Sequence, residues 1–509
     1  MLKRLHDTAG QDTALALSQV DSLAPFTYGL EYSAPARGGW TIVHIGMLLP
    51  ESHQVFVCAQ SCLRGVVLSA AELGDSSRFS TISVDEDSVL EGNCEEIIIE
   101  GVTHILEGLP ALPKALLLFT SCIHHFLGTD MKIVFGELNT RFPQVGFVQC
   151  WMNPIMRKTK MPPDPFMRKQ LYSLLEPAEI SEKQVNIIGN NLAVRRNSEL
   201  YRILEENGFA LKDICTCRDF EEYRTMAEGC LNIVIHPLGR PAAQELEERL
   251  GQRWVYLPVS YNWDEISERW KCLSDLLNLD SKKVWRDMEA DRLQQAAEHA
   301  LRTLAQTLSD WSVVIDYTIS SRPLGMARLL VMCGFKVERI YADTISSEEA
   351  DVLEWLKIHC PRMLVCPTVY HKMAVLPRTF CGEKSGKVLA MGQKAAYFTG
   401  TGHFVNMVED GGLYGYGGIG RAIAKRLIKG FGAEVVAYDE YCTPEQMMAD
   451  GVKPVSLDEL LSTSDIVSIH LRLVEATKNI IGKEAFAKMK PTAIFCNTAR
   501  AGLVDQQAL

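Results

Sequence analysis

Three cysteines stand where thiolate chemistry could be assembled. Cys58 and Cys62 are four residues apart at the head of an apolar stretch, Val66 to Leu73, that has helical character. A helix that already included Cys58 would put both sulfurs on one face. Cys122 follows the continuous apolar run Ala115 to Thr120, the pattern of a strand buried on both faces. A thiol at the carboxyl end of such a strand faces the crevice in which open α/β sheets hold their ligands. Metal ligation and burial as a small apolar side chain are the two readings open to each of the three. Cys94 is a weaker candidate of the same kind. Cys215 with Cys217, and Cys360 with Cys366, lack the paired spacing and histidine partners of a zinc site and read as buried thiols. The adjacent His124 and His125 read as a solvated loop pair, with proton transfer beside Cys122 as the other use.

A second constellation is built from glycine. Gly415, Gly417 and Gly420, in the pattern G-x-G-x-x-G, open the helical run Arg421 to Leu427, and Glu434 to Asp439 reads as a strand ending in an acid. Glycines at this spacing let a backbone approach a pyrophosphate, and the helix turns free N–H groups toward its charge. Asp439, about twenty residues on, stands where the acceptor for the ribose hydroxyls belongs, so NAD is the cofactor such a loop would take, and at best weak affinity for it is expected here.

The elements that must position these residues alternate between strand and helix. Thr41 to Gly46 is the expected first strand. From about residue 181 the pattern repeats: a strand at Val185 to Ile188, a helix from Ser198 to Asn207 stopped by Gly208, and a strand at Leu231 to Ile235. Pro241 then opens a helix that Gly251 ends. Apolar positions spaced by three and four predict one long amphipathic helix over 281–308, connecting domains. A third unit begins at Val313, with a helix near Leu324 to Met332, Gly334 as its stop, and strands near Lys336 to Tyr341, Met363 to Cys366 and Val388 to Met391. Such alternation implies parallel sheets covered on both faces. The expected domains are 1–180, 181–280, a connecting helix 281–310, 311–414, and 415–509, in keeping with a length prior of about three to four domains.

The net charge of -11 argues against non-specific binding to nucleic acid or to an anionic membrane. No apolar run approaches the roughly 18 residues of a membrane span, and no apolar stretch follows Lys3 and Arg4 as in a secretion signal. A cytoplasmic protein with reduced thiols is expected.

Residues about 25 to 417 resemble the nitrogenase component 1 subunits and their relatives. The resemblance is carried by Thr120-Ser121-Cys122 with Leu127-Gly128-Thr129-Asp130, and by the segment from Met391 to Tyr416. It implies an α/β fold of three Rossmann-like parallel-sheet domains. It also implies a 4Fe-4S cluster shared with a second component 1-like subunit, in a homo- or hetero-oligomer, and electrons relayed from an ATP-dependent iron–sulfur reductase partner. Cys62 and Cys122 match two of the family's cluster ligands. The earlier ligand falls near Gly38, where there is no cysteine, and Cys58 replaces it on spacing alone. The Cys and His that hold the catalytic metallocluster of molybdenum nitrogenase fall on Pro237 and Tyr414. The resemblance therefore leads to an oxidoreductase subunit that is not a molybdenum nitrogenase, or to a scaffold for metallocluster assembly. His236, beside Pro237, reads as an ordinary crevice residue.

Residues 415–509 resemble the NAD-binding domain of D-isomer-specific 2-hydroxyacid dehydrogenases of the phosphoglycerate dehydrogenase kind. Leu457 to Leu461, Asp465 to His470 and Ala493 to Gly502 extend the match beyond the glycines. By this resemblance Arg500 is the catalytic residue that takes the substrate carboxylate. Arg472 stands where the family has proline. The catalytic Glu and general-acid His belong downstream of Arg500, and Glu409 to Tyr414 is too polar to be the buried strand that feeds the glycine loop. A partial Rossmann domain without dehydrogenase turnover is expected, joined to the first part through a shared Gly-Tyr-Gly-Gly stretch by natural fusion or by a joined reading frame.

Overall fold

The computed structural model describes residues 13–405, apart from 27–30, 32–40, 74–75, 154, 157–158, 191, 195, 197 and 376–386, together with short stretches between 435 and 508. The chain divides into two compact units, Met1–Gly412 and Leu413–Leu509.

After the short strand β1 (Leu15–Ala16), Thr41–Gly46 forms a helix rather than the expected strand. Ile42, Val43 and Ile45 are buried there at 3%, 0% and 1% exposure, in the core that also holds Met167 and Leu171. Tertiary burial overrides the extended preference of a β-branched run. The strand itself comes later, as β2 (Ser52–Cys58), which is buried along its whole length. Its polar first half hid it, and each of those side chains makes a hydrogen bond. Ser52 Oγ donates to Leu49 O at 2.7 Å, His53 Nε2 lies 2.8 Å from Ser80 Oγ, and Gln54 Nε2 donates to Val43 O at 3.0 Å.

With β3 (Phe79–Ser83), β4 (Ala115–Ser121) and β5 (Gly146–Met152), β2 makes a parallel sheet in the order β3-β2-β4-β5. Every residue of β4 is buried, as its apolar run predicts. Phe56 and Phe119 face each other in register, and their rings stack at 4.1 Å, pinning β2 to β4.

The second sheet has the same plan. β6 (Ser181–Ile188), β7 (Ala210–Asp213), β8 (Gly229–Val234) and β9 (Arg253–Tyr256) run parallel in the order β7-β6-β8-β9. The helix Glu199–Glu206 is capped by Ser198, whose side chain accepts from Tyr201 N–H, and Arg240–Leu250 has Pro241 in its first turn and ends at left-handed Gly251. The predicted long helix is two, Ser281–Asp287 and Ala290–Thr307. Glu289 breaks it with φ 53°, so that Val284 and Met288 stay buried while the second helix sets off anew.

The third sheet contains β10 (Ser312–Asp316), β11 (Lys336–Tyr341), β12 (Leu364–Cys366), β13 (Val388–Met391) and β14 (Phe404–Val405), in the order β1-β12-β11-β10-β13-β14. Among the described residues of this sheet, only β1 pairs antiparallel, at its edge.

Within the second unit, β15 (Val436–Ala437) pairs parallel with β16 (Lys453–Pro454), and β17 (Ile466–Ile469) with β18 (Ile494–Asn497). The helix Leu457–Thr463 is capped by Ser456, whose hydroxyl accepts from Glu459 N–H. No helix among the described residues is long and apolar enough to cross a membrane.

Candidate metal centre

From β2 the chain crosses to β3 on one side and returns to β4 on the other. The gap between the carboxyl ends of β2 and β4 is therefore a topological switch point, where α/β sheets leave a crevice. β2 ends in Cys58. β4 ends in Ser121, and Cys122 is the first residue of the helix that follows, Cys122–Leu127. Cys62 lies in the first turn of the helix Gln60–Leu73, its N–H bonded to Ala59 O at 2.9 Å. Cys58 and Cys62 thus do not share a helix face; one closes a strand and the other opens a helix. Cys58 is fully buried, while Cys62 and Cys122 are partly exposed.

Val57 lies in register with Thr120, which brings Cys58 beside the turn that begins the helix at Cys122. Burial pushes the Cys58 thiol up to about 12, and the charges of Cys62 and then Cys122 add to the shift. Among the described residues no hydrogen bond reaches any of the three sulfurs.

His124 is not solvated. It is 3% exposed, its Nδ1 accepts from Ser121 N–H at 3.2 Å, and burial holds its basicity below the usual imidazole range. The proton of the neutral ring is then on Nε2, which is buried without an acceptor. The spacing of Ser121 and His124, a helix cap and its third residue, is the signal that would have placed this ring inside. His125 is exposed and meets the edge of Trp151 at 5.7 Å.

At the second switch point, between β6 and β8, sequence reasoning found His236 and Pro237 but missed the groups that dominate. Arg168, 1% exposed, donates to Asp164 Oδ1 at 2.7 Å and through Nη1 to Gly189 O at 2.5 Å. Asp213 is fully buried and accepts from Asn190 Nδ2 at 2.8 Å, Cys215 N–H at 2.9 Å and Val194 N–H at 3.2 Å. His236 Nδ1 accepts from Leu238 N–H at 3.2 Å. Burial, and then the charge of Arg168, lower its pKa to about 4. Pro237 opens a 3₁₀ turn and brings no donor atom. Cys215 and Cys217 lie here, apart from the three cysteines, and burial raises both thiols. At the third switch point, between β10 and β13, buried Asp316 accepts from Thr318 and Ala395 N–H, with Lys394 buried alongside.

Asp439 is exposed just beyond the carboxyl end of β15. Gly415, Gly417, Gly420, Arg500, Tyr414 and Arg472 lie outside the described residues.

The family model for nitrogenase component 1 type oxidoreductases matches residues 45–409. The chain belongs to that family. The solved structure of nitrogenase Cp1 at pH 6.5 superposes on 77% of this chain and 90% of its own, with TM-score 0.56 at 14% identity, and nitrogenase Cp1 at pH 5 gives 0.53 over 81% and 93% at 12% identity. Likeness at that identity bears on the fold alone, and it agrees with three α/β sheets of parallel strands in this component 1-type chain.

Residues 407–509 match the model of the D-isomer specific 2-hydroxyacid dehydrogenase NAD binding domain. The two matches meet at 407–409, a few residues before the glycine stretch in which the sequence reading placed the join. D-3-phosphoglycerate dehydrogenase of Mycobacterium bovis is 46% identical over 116 residues, which are 23% of this chain and 21% of that protein. Hydroxypyruvate reductase of Thermotoga maritima is 45% identical over 98 residues, 19% of this chain and 31% of that protein. The chain thus spans less than a third of the length of either relative.

Proposed function

We propose that this chain is a component 1-type oxidoreductase subunit in which Cys58, Cys62 and Cys122 hold part of an iron–sulfur cluster, of the 4Fe-4S type, at an interface with a second component 1-like subunit. The observation that carries the reading is the convergence of three thiols, none with a hydrogen-bond partner among the described residues, at the switch point of the first sheet. The donor set suits such a group. No three His, Cys, Asp or Glu side chains among the described residues are grouped to hold a single ion, whereas the thiolates of a cluster bind separate irons and stand further apart. When bound, the cluster supplies one-electron transfer, here from an ATP-dependent iron–sulfur reductase partner. The chain's own part is to present thiolates and to shield the site with buried neutral His124.

The helices that begin near Cys62 and at Cys122 also carry apolar side chains in water: Val67, Leu68, Phe126 and Leu127 are 44%, 55%, 75% and 42% exposed. Apolar surface beside incomplete ligation is what a subunit interface would cover. Pro237, without a donor atom, argues against a molybdenum–iron cofactor, so acetylene reduction is not expected. Asp439 supports at most adenosine-diphosphate binding in the second unit, and dehydrogenase turnover is not expected from it.

The test is protein purified without oxygen. Iron and acid-labile sulfide should be present, with a paramagnetic signal after dithionite reduction that disappears in Cys122→Ala. An unchanged signal in that variant would overturn the assignment. Oxidation of the reduced cluster by an added substrate would separate an enzyme from an assembly scaffold.

A further inference from the structure

A cavity of about 270 Å³ lies outside the three sheet crevices. Its walls are the segment 260–265 beyond β9, the middle of the helix Ala290–Thr307, and the helix Pro323–Met332 with its preceding residue, Arg322. No residue of the cysteine crevice lines it. Its volume is just below the range of drug-sized ligand pockets, about 300–1,000 Å³, and suits a smaller molecule. Its lining holds three arginines, Arg302, Arg322 and Arg328, against three acids, Asp264, Glu265 and Glu298, with aromatic surface from Tyr261 and Trp263 and apolar surface from Leu329 and Met332.

The arginines are incompletely matched. Arg322 is 6% exposed, and its terminal nitrogens donate to Glu265 Oε2 at 2.8 Å, Val259 O at 3.2 Å and Glu348 O at 3.4 Å. Its Nε is buried and has no acceptor. A buried donor left unpaired carries a desolvation cost that an acceptor would recover. Glu265 Oε2 is already shared, taking Arg269 Nη2 at 2.9 Å and Ser260 Oγ at 2.7 Å as well. Arg328 lies over the Trp355 ring at 5.3 Å and forms no ion pair with a described carboxylate. Arg302, also in the lining, is already within 3.7 Å of Glu298.

We propose that this cavity binds a small organic anion, with a carboxylate or phosphate group taken by Arg322 Nε and Arg328 and an aromatic or branched apolar body held against Tyr261 and Trp263. Guanidinium groups pair with either oxyanion, so the shared chemistry is an anionic head on an apolar body.

The test is isothermal titration calorimetry of the full chain with benzoate, phenyl phosphate and the neutral isostere benzamide. At least one of the two anions saturates and benzamide does not. Saturation by phenyl phosphate alone assigns a phosphate head, and by benzoate alone a carboxylate head. Arg328→Gln weakens the bound anion about tenfold, the loss expected for one charge-assisted hydrogen bond. Benzamide binding as tightly as the anions, saturation by neither anion, or an unchanged affinity in Arg328→Gln overturns the proposal. Should circular dichroism show that Arg328→Gln is misfolded, Met332→Trp takes its place, filling the cavity from a position that is 56% exposed. It should abolish binding, and retained affinity overturns the proposal equally.

Discussion

The first and second sheets share one strand order, and their crevices are furnished in opposite ways. Between β2 and β4 stand three thiols that no hydrogen bond reaches among the described residues. Between β6 and β8 the protein has filled the space with itself. Cys215 accepts from Asn190 Nδ2 and Cys217 donates to Asp213 O, both at 3.5 Å, while Arg168 ties down Gly189 O. The two loops there touch backbone to backbone, for a Cβ added at Gly189 would fall 2.3 Å from Gly239 Cα. On the function proposed above, the same topology makes one crevice a place for a guest and the other a structural joint. Fold fixes where a ligand can sit, and side chains decide whether one does.

The comparison breaks most sharply at the cysteines. Cys62→Ala should leave anaerobically purified protein with little or no iron, because a cubane missing a thiolate is not retained, whereas Cys215→Ala should keep the full complement. Equal iron in the two variants would erase the distinction between the crevices.

A second test weighs backbone closure. Gly189 has φ +81° and no room for a methyl group, while Gly128, beyond the Cys122 helix, has φ +68° and nothing within 4 Å. Gly128→Ala should cost only the left-handed strain, about 1–2 kcal/mol. Gly189→Ala adds overpacking of about 1–3 kcal/mol and should give the lower urea midpoint by a clear margin. Matching midpoints would mean that the second crevice can open.

Asp213→Asn should be milder than Gly189→Ala. The shape is kept, but three donors lose a carboxylate, and a hydrogen bond to a charged group is worth about 1.5–3 kcal/mol, part of which the amide oxygen retains. A fall in thermal midpoint with unchanged iron is expected. Loss of iron would show instead that the second crevice supports the cysteine site.

How much of this could be read from the sequence depended on whether the signal was local. The β4 run and the stops at Gly208 and Gly251 concern neighbours in sequence, and each appears where expected. Thr41–Gly46 was misread because Ile42, Val43 and Ile45 are β-branched, and only packing against a distant helix makes them helical. Residues 281–308 kept their apolar spacing through a break that a single left-handed residue, Glu289, introduces. The cysteines are legible as candidates, but the element that carries Cys58 is not, since a spacing of four does not distinguish one helix face from a strand end followed by a helix. Arg168 and Asp213 also have near partners, Asp164 and Cys215 N–H, but the contacts that bury them, to Gly189 O and Asn190 Nδ2, lie 21 and 23 residues away in sequence and meet only through the sheet.

The smallest expected effect is a pH dependence centred on His236. Its pKa is lowered to about 4 by burial first and by Arg168 next, while Asp164 acts weakly the other way. In the unfolded chain the same imidazole titrates near 6.5. Between those values the unfolded state binds more protons than the folded one, so stability falls as pH falls. The contribution is fully present above the unfolded value and is lost progressively as pH drops toward 4. For one such group the loss between neutrality and about pH 5.5 is about 1 kcal/mol. His236→Gln removes the titration and leaves a side chain that can still accept from Leu238 N–H. Urea unfolding of the parent and variant at about pH 7.5 and about pH 5.5 should therefore show the parent losing about 1 kcal/mol more than the variant. Parallel losses in the two proteins would mean that His236 is solvated in the folded state, and the second crevice would then be more open than its hydrogen bonds imply.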